Sequence, residues 1–128
     1  MQLPLQDDLP FVSVVLQFRG AAVEIPDVLV DTGSGGTVLA ADWVARVGLN
    51  PEPTDVLHTI HGVGGTEVVF ARRVERLVVG DDGLTNFEVE VGGMLYGFAI
   101  NGILGMDFLT QAGAVIDLNA LSIEFTST

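Results

Sequence analysis

One stretch limits what this chain can fold into: Val28 to Leu39, which reads VLVDTGSGGTVL. The apolar Val28-Leu29-Val30 reads as the end of a buried strand, and it carries a single carboxylate, Asp31, straight into a turn. Thr32, Gly33, Ser34, Gly35 and Gly36 follow, with no bulky side chain among them. Glycine in such a turn admits positive φ and lets another backbone or a ligand approach closely. A carboxylate at the end of a buried strand is costly unless hydrogen bonds reach it, and Thr32, Ser34 and the turn amides are the nearby donors. By itself the stretch fits an Asx turn in which Asp31 closes its own loop, or a site that holds a carboxylate ready for chemistry.

The rest of the chain supplies mostly strands. Residues 11–18 (FVSVVLQF) alternate Val12, Val14, Leu16 and Phe18, the period of a half-buried strand. Arg19-Gly20 reads as a turn, and Val23 to Val30 as a second strand interrupted by Pro26, a residue suited to a bulge or an edge. Ala40 to Val47 reads as a helix with Leu39, Trp43, Val44 and Val47 on its inner face and Gly48 as its stop. Asn50, Pro51 and Pro53 mark a loop. Residues 54–79 read as a long hairpin with its tip at Gly62-Val63-Gly64-Gly65 and Arg72, Arg73 and Arg76 on its return arm. A turn at Asp81-Asp82-Gly83 leads to a strand from Phe87 to Val91, then a loop from Gly92 to Gly97. An apolar strand from Ala99 to Leu104, broken at Asn101-Gly102, precedes a short helix from Met106 to Gln111 that Gly113 ends. Ala114 to Leu118 and Leu121 to Phe125 close the chain as two short strands. Many short strands, Gly-rich turns and one or two short helices predict an all-β, closed, barrel-like sheet forming a single domain over residues 1–128.

Three stretches, in this order, resemble the retropepsin-like, single-lobe branch of the aspartic proteases. Asp31-Thr32-Gly33-Ser34 after an apolar strand resembles the active-site signature. Residues 57–69, LHTIHGVGGTEVV, resemble the glycine-tipped flap hairpin, and residues 100–109, INGILGMDFL, resemble the hydrophobic-hydrophobic-Gly segment and its following helix. Two-lobed, pepsin-like enzymes carry two Asp-Thr-Gly motifs and this chain carries one, so the resemblance is to the single-lobe type. It implies the acid-protease fold with one lobe per chain and an endopeptidase activity. Peptide hydrolysis without a metal or covalent intermediate needs a base to activate water and an acid to protonate the amide. Two aspartates sharing one proton perform both roles, since like charges so close do not both ionise. One motif supplies one aspartate, so the resemblance implies a homodimer that sets Asp31 beside the partner's Asp31.

The same resemblance assigns roles around Asp31. Thr32 braces the two turns across the dimer, Gly33 admits the substrate backbone, and Ser34 hydrogen-bonds the carboxylate, which favours activity in acid, roughly pH 3 to 6. Ile60, His61, Gly62, Val63, Gly64 and Gly65 form a flap that closes over an extended peptide. Ile103, Leu104 and Gly105 cross beneath the turn. The subunits interleave their ends, with Leu3, Leu5, Leu121, Ile123 and Phe125 as apolar edges. Cleft walls of Val, Leu, Ile and Phe imply apolar side chains beside the cleaved bond. Two other readings stand beside this one: a non-catalytic domain of the same fold that dimerises or binds peptides, and one half of a heterodimer. Without the Asp31 motif the hairpin reads as an ordinary surface hairpin, and the Ile-Leu-Gly stretch as a core strand with a helix cap.

Charge narrows the partners. Seventeen acidic residues stand against five arginines and no lysine, for a net charge of −12. The basic footprint that phosphate binding needs is missing, which argues against nucleic acid, and acidic substrate residues are disfavoured. There is no cysteine, so disulfide and thiolate chemistry are excluded. His58 and His61 fall on opposite faces of a strand with no third ligand, so neither a metal nor a cofactor is expected. Val38 and Glu67 stand where a dinucleotide loop would place its third glycine after Gly33-x-Gly35 and Gly62-x-Gly64. No apolar run approaches the roughly 20 residues of a membrane span, and MQLPLQDDLP lacks a signal peptide's basic start and apolar core. The expectation is a protein without a membrane partner, cytoplasmic or a soluble domain of a longer, anchored protein.

Overall fold

The computed structural model describes residues 1–62, 65–94 and 99–126, and residues 61, 62 and 65 by their backbone alone. In chain order the elements are β1 (Leu5–Gln6), β2 (Leu9–Phe18), β3 (Ala21–Val30), β4 (Val38–Ala40), α1 (Ala41–Val44), β5 (Leu57–Gly62), β6 (Gly65–Val79), β7 (Asp82–Gly92), β8 (Gly102–Leu104), α2 (Met106–Gln111), β9 (Ala114–Asp117) and β10 (Ser122–Phe125). The chain is mostly β, as its patterning predicts, with two short helices.

Local chemistry explains most boundaries. In β2, Val12, Val14, Leu16 and Phe18 are all buried, because a pleated strand sends alternate side chains to one face. The pairing of β2 with β3 slips between Val12↔Val28 and Val14↔Ile25, so Pro26 and Asp27 oppose one residue, Ser13. Proline, with no N–H to give the ladder, sits in this bulge, and Asp27 takes φ 57°. The helix expected over residues 40–47 is a single α-helical turn, α1, continued by a 3-10 turn at Ala45–Val47 and stopped by Gly48 at φ 81°. Leu39, Val44 and Val47 are buried there, while Trp43 is half-exposed and stacked by the Arg46 guanidinium, 3.7 Å from its ring centroid.

Long-range pairing positions the Asp31 turn. The main sheet runs β1-β2-β3-β8-β4-β7-β6-β5, and a further pairing of β2 with β6 returns it on itself. β3 enters the turn and β4 leaves it, and β8 lies between them, parallel to β3 (Leu29↔Ile103) and antiparallel to β4 (Val38↔Ile103). One core fills the interior around Val14, Leu16, Ile25, Leu39, Val89, Leu104 and Phe108. A second, smaller cluster joins Phe11, Val38, Ala40, Val69, Met94 and Ile100, with Leu29, Ile60 and Ile103 packed against it. At the base of the β5–β6 hairpin, Arg72 grips Asp55 at 2.6 Å and donates to the Asn50 carbonyl at 3.2 Å.

The chain ends, expected to interleave between subunits, pair with each other in the single chain. β9 and β10 form a two-stranded hairpin, and the chain's own N-terminus occupies the far edge of β10. Leu3 N–H donates to the Leu121 carbonyl at 2.8 Å and Ile123 N–H to that of Met1 at 3.0 Å. Leu3 and Ile123 are both fully buried in the main core, so each end satisfies the other within one chain. Among the described residues, no helix is long and apolar enough to cross a membrane.

Candidate active site

Asp31 stands at the end of β3, half-buried, and its N–H donates to the Leu104 carbonyl at 3.0 Å, so β8 fixes the depth at which the carboxylate emerges. The chain then reverses: Ser34 N–H bonds the Asp31 carbonyl at 3.1 Å and Gly33 N–H bonds Asp31 Oδ1 at 2.8 Å. The Asx geometry is therefore present, and it orients one carboxylate oxygen while Oδ2 accepts no hydrogen bond from a described residue. Thr32 and Gly33 are exposed on either side.

Ser34 does not make the bond expected of it. Its Oγ donates to the Gly36 carbonyl at 2.7 Å instead of to Asp31. The tight turn brings that carbonyl within reach of the hydroxyl, and a Ser hydroxyl satisfies nearby backbone readily. Ser34 thus holds the shape of the turn, and the amide of Gly33 is what reaches the carboxylate.

Ile103, Leu104 and Gly105 pass directly against this turn. Met106 N–H donates to the Ser34 carbonyl at 2.8 Å and Asp107 N–H to that of Gly35 at 3.3 Å. A Cβ on Gly105 would lie 2.3 Å from the Gly36 carbonyl oxygen and 3.0 Å from that of Ser34, both backbone atoms. Only glycine lets the two segments come so close. Leu104 is fully buried, while Ile103 is half-buried and packs on the second cluster with Ile60 of β5.

Sequence reasoning missed the brace behind the turn. Thr37, the only buried polar residue among those described, donates its hydroxyl to Asp107 Oδ1 at 2.7 Å and its N–H to Oδ2 at 3.2 Å. Thr37 Oγ1 also accepts the Gly105 N–H at 3.1 Å, and Asp107 Oδ1 accepts that of Phe108 at 2.7 Å. With both oxygens engaged, Asp107 is a strut of the turn and makes no bond to Asp31. The signal available was Asp107 in the first turn of a short helix immediately after the Ile-Leu-Gly segment.

Glu90 was also missed. It lies opposite Val38 in the β4–β7 pairing, donates its N–H to the Thr37 carbonyl at 2.9 Å, and places its carboxylate over Gly36. Burial pushes its carboxyl above the usual range; neighbouring Asp107 and Glu88 add to the effect and His58 opposes it.

Beside Thr32 opens a groove of about 420 Å³, lined by Met106, Leu109, Thr110, Ala114 and Ile116. The arms of the β5–β6 hairpin pair from Leu57↔Phe70 to Gly62↔Gly65. Of the expected flap residues, Ile60 is half-buried, His61, Gly62 and Gly65 are placed by their backbone, and Val63 and Gly64 lie outside the described residues.

The site is therefore a partly exposed carboxylate on a rigid turn, with one oxygen held by an amide. It can serve as a base or a hydrogen-bond acceptor. Among the described residues no second carboxylate is hydrogen-bonded to it. A family profile for aspartyl proteases matches residues 14–108, a span that runs from within β2 into α2 and takes in the Asp31 turn, the hairpin and the Ile103–Gly105 segment. No curated protein matches the chain.

Proposed function

Because the chain belongs to the retropepsin-like aspartyl protease family, its function is of the aspartic-protease type, and we propose that it is a homodimeric endopeptidase. The observation that carries this reading is the single Asp31 carboxylate, presented half-exposed on a braced turn with one oxygen free of described donors. Two copies related by a two-fold axis bring Asp31 and the partner's Asp31 together, and a water between them is activated by the ionised carboxylate. The protonated one polarises the peptide carbonyl, and proton transfer to the amide nitrogen completes cleavage. Gly33, without a side chain, gives the substrate backbone room to lie beside the carboxylates.

Two features support the two-fold arrangement. Thr32 is exposed at the rim of the groove that Met106, Leu109 and Ile116 line, where a second turn has room to seat. β9 pairs with β10 on one side, and among the described residues its other edge pairs with no strand. Ile60 and Ile103, on the second apolar cluster, supply walls for the apolar side chains of an extended peptide. The β5–β6 hairpin is the flap in this scheme, giving backbone hydrogen bonds to the peptide and excluding water.

The test is Asp31→Asn, which keeps size but removes the ionisable group. In a mixed peptide library read by mass spectrometry, the wild type cleaves and Asp31→Asn does not, at unchanged thermal stability. Asp81→Asn serves as the control, since Asp81 is exposed in the turn between β6 and β7, away from the Asp31 turn and from β9. Cleavage by Asp31→Asn at the wild-type rate overturns the reading.

A further inference from the structure

Glu90 holds a carboxylate with one buried oxygen, Oε2, that no described residue hydrogen-bonds, whereas buried acceptors are nearly always paired. Its Oε1 lies where a side chain on Gly36 would stand, 2.6 Å from that Cβ position, so Gly36 makes the room the carboxylate occupies. Gly36 closes the turn that Asp31 opens, tied to Ser34 Oγ at 2.7 Å, so Glu90 sits at the edge of the proposed catalytic turn.

The surroundings are those of a peptide-binding wall. Val38, the cross-strand neighbour of Glu90, belongs to the second apolar cluster, which Ile60 of the hairpin and Ile103 of β8 also join. Glu67 Oε1, which accepts the Met94 N–H, meets the Cβ position of Gly92 at 2.7 Å and Val69 of that cluster meets it at 2.9 Å, two residues along β7 on the face that carries Glu90, and His58 pairs with Val69. Glu90 thus lies between the catalytic turn and the first arm of the hairpin, with apolar side chains beneath it. Asp107 is spent on Thr37 and Phe108.

We propose that Glu90 is a specificity-determining residue of the cleft, whose carboxylate pairs with a lysine or arginine of the bound peptide a few residues from the cleaved bond. This rests on the protease reading above and adds a charged position to otherwise apolar recognition. An extended peptide crossing Asp31 under the hairpin runs along the turn that Gly36 closes, so one of its side chains near the cleaved bond comes to lie over Gly36. A cation over Gly36 meets the carboxylate at Oε1, the oxygen on that side, in a charge-assisted hydrogen bond, and an acidic side chain meets repulsion. The net charge of −12 favours the same cationic peptides at longer range.

The experiment uses the full chain at the least acid pH at which cleavage is still measurable, where the raised Glu90 carboxyl is most ionised, with paired peptides that differ only by Lys or Gln at each position flanking a mapped cleavage site, and the ratio of their kcat/KM values. Wild type favours Lys at one position by about tenfold, the scale of one charge-assisted bond. In Glu90→Gln, and independently in Glu90→Ala, that ratio falls to near one while ratios at the other positions hold. Because each ratio is internal to one enzyme, a variant with a lower overall rate still reports. Wild type cleaving with no Lys preference, or a preference that survives both substitutions, overturns the role of Glu90 and leaves the protease reading standing. No cleavage of any peptide by the wild type overturns both.

Discussion

Asp107 carries more of the site than its place in the sequence suggests. Nothing in the spacing marks it: it follows the Ile-Leu-Gly stretch as an acidic residue in a helix's first turn, which is common chemistry. What makes it matter is Thr37, seventy residues earlier, whose burial at 1 % exposure no local pattern predicts. The opposite holds for Asp31, Gly33 and Gly105, which carry legible chemistry because a carboxylate among glycines and a glycine closing an apolar strand are unusual. Ser34 lies between the two, its type readable and its partner decided by the turn. Asp107→Ala leaves the Thr37 hydroxyl and two amides without acceptors in a water-poor place. Such losses cost about 2–4 kcal/mol, and Asp107→Asn, which keeps one acceptor oxygen, costs about half as much. Urea unfolding followed by the fluorescence of Trp43, the only tryptophan, measures both. We expect catalysis to fall with stability, since the turn that aims Asp31 loosens. An Asp107→Ala protein as stable as the wild type would refute the brace.

At the scale of elements, boundaries set by local chemistry were readable and pairings were not. Pro26 announced its bulge, Gly48 its helix stop, and alternating residues their strands. The three residues of β4 read instead as the approach to a helix, because what makes them a strand is parallel pairing to β7 and antiparallel pairing to β8, far away in sequence. The hairpin was visible as two β-prone arms, but its anchor was not. That anchor is Asp55, 8 % exposed, gripped by Arg72, 13 % exposed, while Arg72 also holds the Asn50 carbonyl. The hydrogen bond from Arg72 chiefly, with the Glu52 amide, holds the Asp55 carboxyl below its usual value. A depressed carboxylate contributes stability that is fully present above its unfolded value of 3.8 and is lost as pH falls through the lower folded value. The hairpin base therefore stays clasped at mildly acid pH, where a shared-proton mechanism works. Asp55→Asn weakens the grip, and amide exchange in β5 and β6 accelerates about tenfold or more at neutral pH, while exchange in β2 and β3 holds. Wild-type exchange in the same arms, corrected for intrinsic rate, is flat from neutral pH to about pH 5 and rises only below the unfolded value. Equal exchange in Asp55→Asn and wild type would remove the anchor.

For the molecule as a whole, the all-β class followed from composition and punctuation, whereas the return of the sheet through β2 and β6 and the pairing of the two chain ends are long-range facts. The paired ends change where a second copy can sit. The N-terminus occupies one edge of the terminal hairpin and leaves β9 as the other, with Val115 at 54 % and Leu118 at 67 % exposure beside it. The groove that begins at Thr32 reaches the same strand through Ala114 and Ile116. An open edge with apolar side chains next to a groove is a ready template for self-association. We therefore expect Val115→Lys and Leu118→Lys, each placing a charge on that surface, to weaken the proposed dimer. A chain cut at Asn119 is the poorer test, because it loses Ile123 from the core. Association also unites two bodies of charge −12, so bringing them together opposes ionisation and raises carboxylate pKa values in the dimer relative to the monomer. By linkage, that contribution favours the dimer fully below the monomer values, near about 4, and is lost as pH rises through the higher dimer values. Added salt screens the same repulsion and tightens the dimer at neutral pH. Sedimentation velocity at about pH 4.5 and about pH 7.5, each at low and high salt, separates the two claims. Lysine variants that associate as tightly as wild type move the interface away from β9. An affinity flat in both pH and salt removes the electrostatic argument and leaves the shared-aspartate site to be judged by Asp31→Asn alone.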